Sequence, residues 1–389
     1  MYKLRDYQQK ASDAAVSFFA NKAKKNNAIM VLPAGAGKSL VIADIATRLN
    51  GHTLVFQPSK EILEQNYLKI CSYGVLDCSI YSASFGRKEI SRITFATIGS
   101  VINHPELFQH FQNIIIDECH LVNPKEGMYK SFLSILKCKV LGLTATPYRL
   151  SSSRDFGSML KFITRTRPCI FSEVIYQVQI STLLDMGYLA KLDYYAMNPI
   201  GWNELNLKVN TTGADYTDKS VIREYERIDF YGFLVHIVQR LMNPKSGVRR
   251  KGILVFTRFL KEAERLTWSI PGTAIVSGET PKKERERVLE AFKAGEIPVV
   301  ANVGVLTTGF DYPELDTIVM GRPTMSLALW YQIVGRAIRP HPNKEAGWVV
   351  DLCGNIKRFG EVKDLRLVDG GNSKWAVYSN NRQLTNVRF

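Results

Sequence analysis

The chain alternates short apolar, β-branched runs with segments of helical spacing, and it does so in two series. In the first series the runs are AIMVLP (28–33), HTLVFQP (52–58), CSIYSA (78–83), ITFATI (93–98), NIIIDE (113–118) and KVLGLTAT (139–146). Each is apolar on both faces, as in parallel sheets covered by helices on both sides. Between the first two runs lies GKSLVIADIATRLNG, helical in spacing and closed by Asn-Gly. Strand, glycine loop, helix and strand in succession form a βαβ unit. The pattern stops after TATPYRL; residues 151–170 are polar and then mixed. Residues 174–198 read as a crossing strand, a helix and the first strand of a second series. Residues 199–219 read as an irregular insertion, and 220–242 as one long helix. Strand-like runs return at GILVFTRF, TAIVSG, IPVVANV, TIVMGRP and GWVVDLCG. The expected architecture is α/β, with two doubly wound halves at 1–188 and 189–389 and the last stretch as a short tail packed on one of them.

Composition narrows the class of partner. No uninterrupted apolar run approaches the roughly 18 residues of a membrane helix, so no membrane role is expected. The polar start MYKLRDYQQK lacks the apolar core of a secretory signal. Six cysteines (71, 78, 119, 138, 169 and 353) form no C-x-x-C pair, which predicts neither a disulfide framework nor structural zinc and suggests a reducing cytosolic setting. A formal charge of +15 and a pI near 9.4 point to a polyanion, of which nucleic acid is the commonest. The positive charge is spread along the chain, so any binding surface must be assembled by the fold. Lys282, Lys283, Arg285 and Arg287 alternate with glutamates as a solvated helix face.

The segment VLPAGAGKSL almost spells a phosphate-binding loop, with Leu32 where the strict pattern has glycine. Its context, a strand before and a helix after, is the one such a loop requires. Gly35 and Gly37 let backbone N–H groups close around phosphate oxygens, and the helix start adds partial positive charge. In this loop Lys38 would reach the β- and γ-phosphates and Ser39 would ligate Mg²⁺. The run IIIDECHL places Asp117 and Glu118 at the carboxyl edge of a parallel sheet, where ligands bind. One carboxylate can hold Mg²⁺ while its neighbour activates a water for attack on the γ-phosphate.

Together GAGKS, DECH, TATP and QIVGRAIR, in that order, resemble the helicases of superfamily 2, from residue 4 to about residue 355. The resemblance implies two tandem RecA-like domains with the ATP site in the cleft between them. The family's loop tolerates a non-glycine residue at Leu32; Ala34 and Ser39 both depart from its usual threonines. LRDYQ resembles the adenine-recognising segment, with Arg5 and Gln8 as polar contacts, and Pro33, Ala34, Gly35, Ala36, Gly37, Lys38 and Ser39 would cradle the phosphates. QPSKEIL and TIGS resemble segments that face the nucleic-acid backbone, through Pro58, Ser59, Lys60, Thr97 and Ser100. Thr144 and Thr146, with His120 as their partner, would couple the nucleotide state to domain movement. LVFTRF offers Arg258 as a backbone contact. VLTTGFDYP places Thr307 and Thr308 near nucleic acid and Gly309 and Asp311 near the nucleotide. Arg336 and Arg339, with Gln332 beside them, would be arginine fingers that neutralise charge on the γ-phosphate. Trp202 is a further candidate substrate contact. Tyr225, Phe230, Tyr231 and Phe233 read as core.

Carried through, the resemblance implies an ATP- and Mg²⁺-dependent DNA helicase or translocase. DECHLV, LTATPYRL and LLDMGYLAKL look most like RadD and UvsW-type repair and branch-processing helicases. The chain looks like a minimal motor of the sort a phage or mobile element encodes. DNA is favoured over RNA, and any replication or repair protein partners are not legible. An ATP-dependent RNA helicase, or a nucleic-acid-binding ATPase switch without unwinding, would carry the same motifs.

Overall fold

A computed structural model describes residues 3–23, 25–136, 138–153, 157–197, 205–211, 215–245, 247, 249–250, 252–306 and 312–387. The first series builds β1 (Ala28–Val31), β2 (Thr53–Phe56), β3 (Cys78–Ser82), β4 (Arg87–Lys88), β5 (Ile93–Ala96), β6 (Asn113–Asp117) and β7 (Lys139–Thr144). A hairpin, β8 (Tyr148–Ser153) and β9 (Gly157–Phe162), precedes β10 (Glu173–Gln177). Sheet order is β10-β1-β7-β6-β2-β5-β3-β4, parallel except for β4. Every residue of β1, β2, β5 and β6 is buried, as expected for strands covered on both faces.

The second series builds β11 (Lys191–Ala196), β12 (Ile253–Thr257), β13 (Thr273–Ser277), β14 (Val299–Val303), β15 (Thr317–Gly321) and β16 (Ala346–Asp351), in the order β11-β16-β15-β12-β14-β13, all parallel. The chain crosses between sheets through Val178–Ala190, which carries the short helix Ile180–Asp185. Leu32, Ala36, Leu189, Tyr331, Val334 and Ile338 belong to one buried apolar cluster. The two lobes therefore meet through side chains as well as through the crossover.

One expectation is corrected. The helical pattern at 220–242 is two helices, Asp218–Arg227 and Phe230–Met242. Asp229 breaks it: its backbone is left-handed (φ 49°), and its carboxylate accepts from Gly232 N–H at 3.2 Å. The break lets Tyr225 and Phe230 stack at 3.9 Å, both fully buried. The end of the chain is a three-stranded antiparallel sheet, β17 (Leu365–Asp369), β18 (Trp375–Ser379) and β19 (Arg382–Gln383). It leaves the second lobe and packs on the first.

The attachment of this tail is specific. The Gln179 amide donates to Leu367 O at 2.8 Å and accepts from Leu367 N–H at 3.0 Å, imitating a strand neighbour. Phe162 N–H donates to the Asn386 side chain at 3.1 Å, and Asn386 Nδ2 donates to Trp375 O at 3.0 Å. At its other end, Trp330 Nε1 donates to Gly360 O at 3.2 Å and Val362 N–H to Tyr194 Oη at 3.0 Å. The segment from Gly360 to Asn386 thus straps one lobe to the other. Gln179→Ala removes both bonds to Leu367 and should lower stability by about 1–3 kcal/mol, read from urea unfolding. An unchanged midpoint would show that the strap is not held there.

Candidate functional site

The glycine loop follows β1 because that strand ends at Val31 and the chain must turn into the helix Lys38–Arg48. Gly35 and Gly37 make the turn with φ of 77° and 74°. A Cβ on Gly37 would lie 2.6 Å from Gln8 Nε2, and one on Gly35 would lie 2.8 Å from Leu189 Cδ2. The positive φ calls for glycine at both positions, and a Cβ at either would displace the tip of a neighbouring side chain. Gly37 stands at the helix start with no side-chain cap, and the first N–H groups of a helix have no intrahelical partner. The loop is held from behind: Ala36 O accepts from Tyr7 Oη at 2.9 Å and from Gln8 Nε2 at 3.0 Å. It is held from the second lobe as well, where Tyr331 Oη accepts from Ala34 N–H at 3.3 Å. A Cβ on Gly335 would fall 2.7 Å from that of Ala34, so glycine at 335 lets the second lobe approach the loop closely.

At the end of β6 the chain turns sharply, with Glu118 left-handed at φ 48°. Its carboxylate meets the Lys38 ammonium at 3.3 Å on one side and His120 Nδ1 at 3.3 Å on the other. His120 Nδ1 also lies 2.9 Å from Thr144 Oγ1 and 3.1 Å from Thr146 Oγ1. Its Nε2 lies 3.2 Å from the Gln332 amide of the second lobe. A continuous polar chain therefore runs from Lys38 to Gln332 across the lobes. Burial pushes the Glu118 carboxyl up, but the Lys38 ammonium and His120 outweigh it and bring it down to about 2. Asp117 goes the other way: burial and the Glu118 charge push it up to about 7.

These groups line a cleft of about 390 Å³, with Lys38, Ser39, Asp117 and Glu118 on one wall and Gln332, Arg336 and Arg339 on the other. Burial pushes Arg336 down to about 10, against the pull of Glu118, and lowers Arg339 too. Two half-buried guanidiniums on the wall facing a phosphate loop suit a polyanion. Asp117 and Ser39 supply the hard oxygen donors that Mg²⁺ prefers, and among the described residues no His/Cys/Asp/Glu cluster builds a separate metal cage. Pro33 is also on the cleft wall. Arg5 and Gln8 sit behind the loop, where the Arg5 guanidinium stacks 4.1 Å over the Tyr188 ring.

The nucleic-acid candidates of the first lobe gather at the carboxyl ends of β2 and β5. Ser59 caps the helix Lys60–Ser72, accepting from Ile62 N–H at 3.3 Å, and Pro58 precedes it. Lys60 donates to Ser84 O at 2.6 Å and lies 4.3 Å over the Phe85 ring. Thr97 Oγ1 and Ser100 Oγ are 2.9 Å apart, and Ser100 accepts from Ala83 N–H. The short turn Ala83–Phe85 thus joins two motifs that lie far apart in sequence. In the second lobe Arg258 is paired with Asp215 at 3.1 Å and Asp218 at 2.8 Å and donates to Tyr216 O at 2.6 Å. Its charge is met by carboxylates that the insertion brings to it. Thr307, Thr308, Gly309, Asp311 and Trp202 lie outside the described residues. Tyr7 and Tyr331, which hold the loop, were not singled out from sequence; Tyr331 adjoins Gln332, the only local signal it carries.

Residues 1–149 match the family described as type III restriction enzyme, res subunit, and residues 234–341 match the helicase conserved C-terminal domain. The chain is 25% identical over 333 residues to a 51.5 kDa protein of a Lactococcus phage (isolate 7-9), covering 84% of this chain and 66% of the relative. It is 27% identical over 355 residues to the DNA 3'-5' translocase XPB2 of Sulfurisphaera tokodaii, covering 82% and 75%. The type ISP restriction-modification enzyme LlaBIII bound to DNA has the same fold over 90% of this chain and 28% of its own, with a TM-score of 0.66 at 19% identity. The chain spans only 51% of IRC3 of Saccharomyces cerevisiae, to which it is 24% identical over 387 residues, 90% of this chain; across the curated relatives its share runs from about half to three quarters. The two family matches fall in order on the two lobes, which are tandem RecA-like domains, and the chain belongs to the superfamily 2 helicases.

Proposed function

We propose that this chain is an ATP-driven DNA translocase or helicase. The observation that carries the reading is the cleft whose phosphate loop and carboxylates come from one lobe and whose arginines come from the other. A nucleotide bound there contacts both lobes, so binding favours closure and hydrolysis releases it. Backbone-facing groups such as Lys60 and Ser100 then change their distance from the second lobe once per cycle. The names of relatives such as the XPB2 translocase, the DNA-bound restriction-enzyme neighbour and the charge of +15 support DNA as the polymer.

The residues divide the chemistry. Lys38 and the loop N–H groups bind phosphate oxygens; Arg336 and Arg339 meet charge that develops at the γ-phosphate. Asp117 and Ser39 would hold Mg²⁺, which screens phosphate charge when bound. Glu118 takes the proton of the attacking water. Its low pKa depends on Lys38; phosphate that draws Lys38 away raises Glu118 toward the range of a useful base. His120 keeps one side of Glu118 in place and reports to Gln332.

Glu118→Gln should reduce DNA-stimulated ATP turnover by about 10²–10⁴-fold while a fluorescent nucleotide still binds. Arg336→Ala should cost about 10³-fold in kcat. Wild-type turnover in either variant would remove the assignment. Lys60→Ala should weaken DNA binding about equally on different sequences and reduce the slope of log affinity against log salt by about 1. Displacement of a triplex-forming strand from duplex DNA, dependent on ATP, tests movement directly, and its absence alongside active hydrolysis would leave a switch in place of a motor.

A further inference from the structure

Lys344 lies in the turn between the arginine segment and β16 and is 9% exposed. Its ammonium donates to Pro313 O at 2.7 Å, Ala337 O at 3.0 Å and Leu315 O at 3.2 Å. An ammonium has three N–H bonds, and all three end on main-chain oxygens of two separate loops. Ala337 stands between Arg336 and Arg339, just past the helix Leu327–Val334, where carbonyls lack helical partners and carry the negative end of the dipole. Pro313 is itself on the cleft wall. β16 passes directly under this junction, since a Cβ on Gly347 would fall 2.7 Å from Ala337 O. The long side chain of Lys344 carries its charge from the turn to these oxygens.

We infer that Lys344 is a positioning residue for ATP hydrolysis, tying the Ala337 carbonyl to the Pro313–Leu315 loop and so holding Arg336 and Arg339 against the nucleotide. The neighbouring carbonyl, Ile338 O, accepts from Ala190 N–H of the crossover at 2.8 Å. The arginine segment is thus pinned once by its own lobe and once by the linker. The inference rests on the ATPase reading above.

The groups around Lys344 make the role visible in a pH profile. Burial pushes its ammonium down to about 8, the Asp316 carboxylate opposes this, and the Arg339 guanidinium adds to it. Glu314 is paired with His341 at 3.3 Å, and Arg250 stands 3.6 Å from Asp316. As pH rises through the Lys344 value one of the three bonds and the charge are lost, and the arginines lose their support. An arginine at 344 keeps its charge across this range.

The test is steady-state ATP hydrolysis on saturating duplex DNA by wild type, Lys344→Met and Lys344→Arg, from about pH 6.5 to about 9.5. It is paired with titration of N-methylanthraniloyl-ADP. Lys344→Met is expected to lose about 10–100-fold in kcat with nucleotide affinity within about threefold, because a displacement near 1 Å can cost that much. Lys344→Arg should recover at least about a third of kcat and shift the alkaline limb up by about one pH unit or more. A methionine variant within about twofold of wild-type kcat, an equal loss of nucleotide affinity, or a limb unmoved by arginine overturns the inference. If Lys344→Met does not give a cooperative melt, the arginine profile alone decides. A wild type that hydrolyses no ATP on any polymer defeats the ATPase reading, whereas an active wild type with an unmoved limb defeats only the role of Lys344.

Discussion

The Glu118 carboxylate, held between Lys38 and His120, is the contact on which the rest depends. Even a half-buried carboxylate is costly unless it is paired and hydrogen-bonded. Here one partner belongs to the phosphate loop and the other hands the interaction on through Thr144, Thr146 and Gln332. Any ligand that competes for Lys38 alters the charge balance at Glu118, and with it the histidine that touches the second lobe. In the proposed cycle, nucleotide state and lobe position are linked by electrostatics over a few ångströms, without a long mechanical path.

Three separate features govern how far the lobes can part. The crossover at Val178–Ala190 carries the covalent link. The small-residue contact of Ala34 with Gly335, together with the Tyr331 hydroxyl, sets how closely the loop and the arginine helix approach. The tail sheet then crosses back from the second lobe and pairs with Gln179 of the crossover. In the proposed cycle, opening would stretch or slide this strap. Lys344 acts one level lower, fixing the arginines within their own lobe.

Residues defined by short-range chemistry were legible in the sequence. Gly35, Gly37, Lys38, Asp117 and Glu118 lie in strand-loop contexts that few other functions produce, and the apolar runs marked nearly every strand of both sheets. What was not legible depends on partners far away in the chain. Gln179 and Leu367 are 188 residues apart, and neither residue type announces a strap. The helix break at Asp229 hides inside a pattern whose apolar spacing continues through it. The motif around Arg258 gives no sign that Asp215 and Asp218, from an irregular segment, pair with it. Lys344 carries no signal in the sequence, because its three acceptors are backbone atoms and backbone atoms leave no mark there.

The most direct measurement is ATP hydrolysis without polymer, then with single-stranded DNA, duplex DNA, branched DNA and single-stranded RNA, all at one salt concentration because phosphate contacts make affinity salt-dependent. The account predicts weak turnover alone and strong stimulation by DNA over RNA, as the polymer completes closure of the cleft. Equal or greater stimulation by RNA would contradict the choice of polymer. Turnover that no polymer changes would contradict the central claim, that the site between the lobes is coupled to a nucleic-acid track.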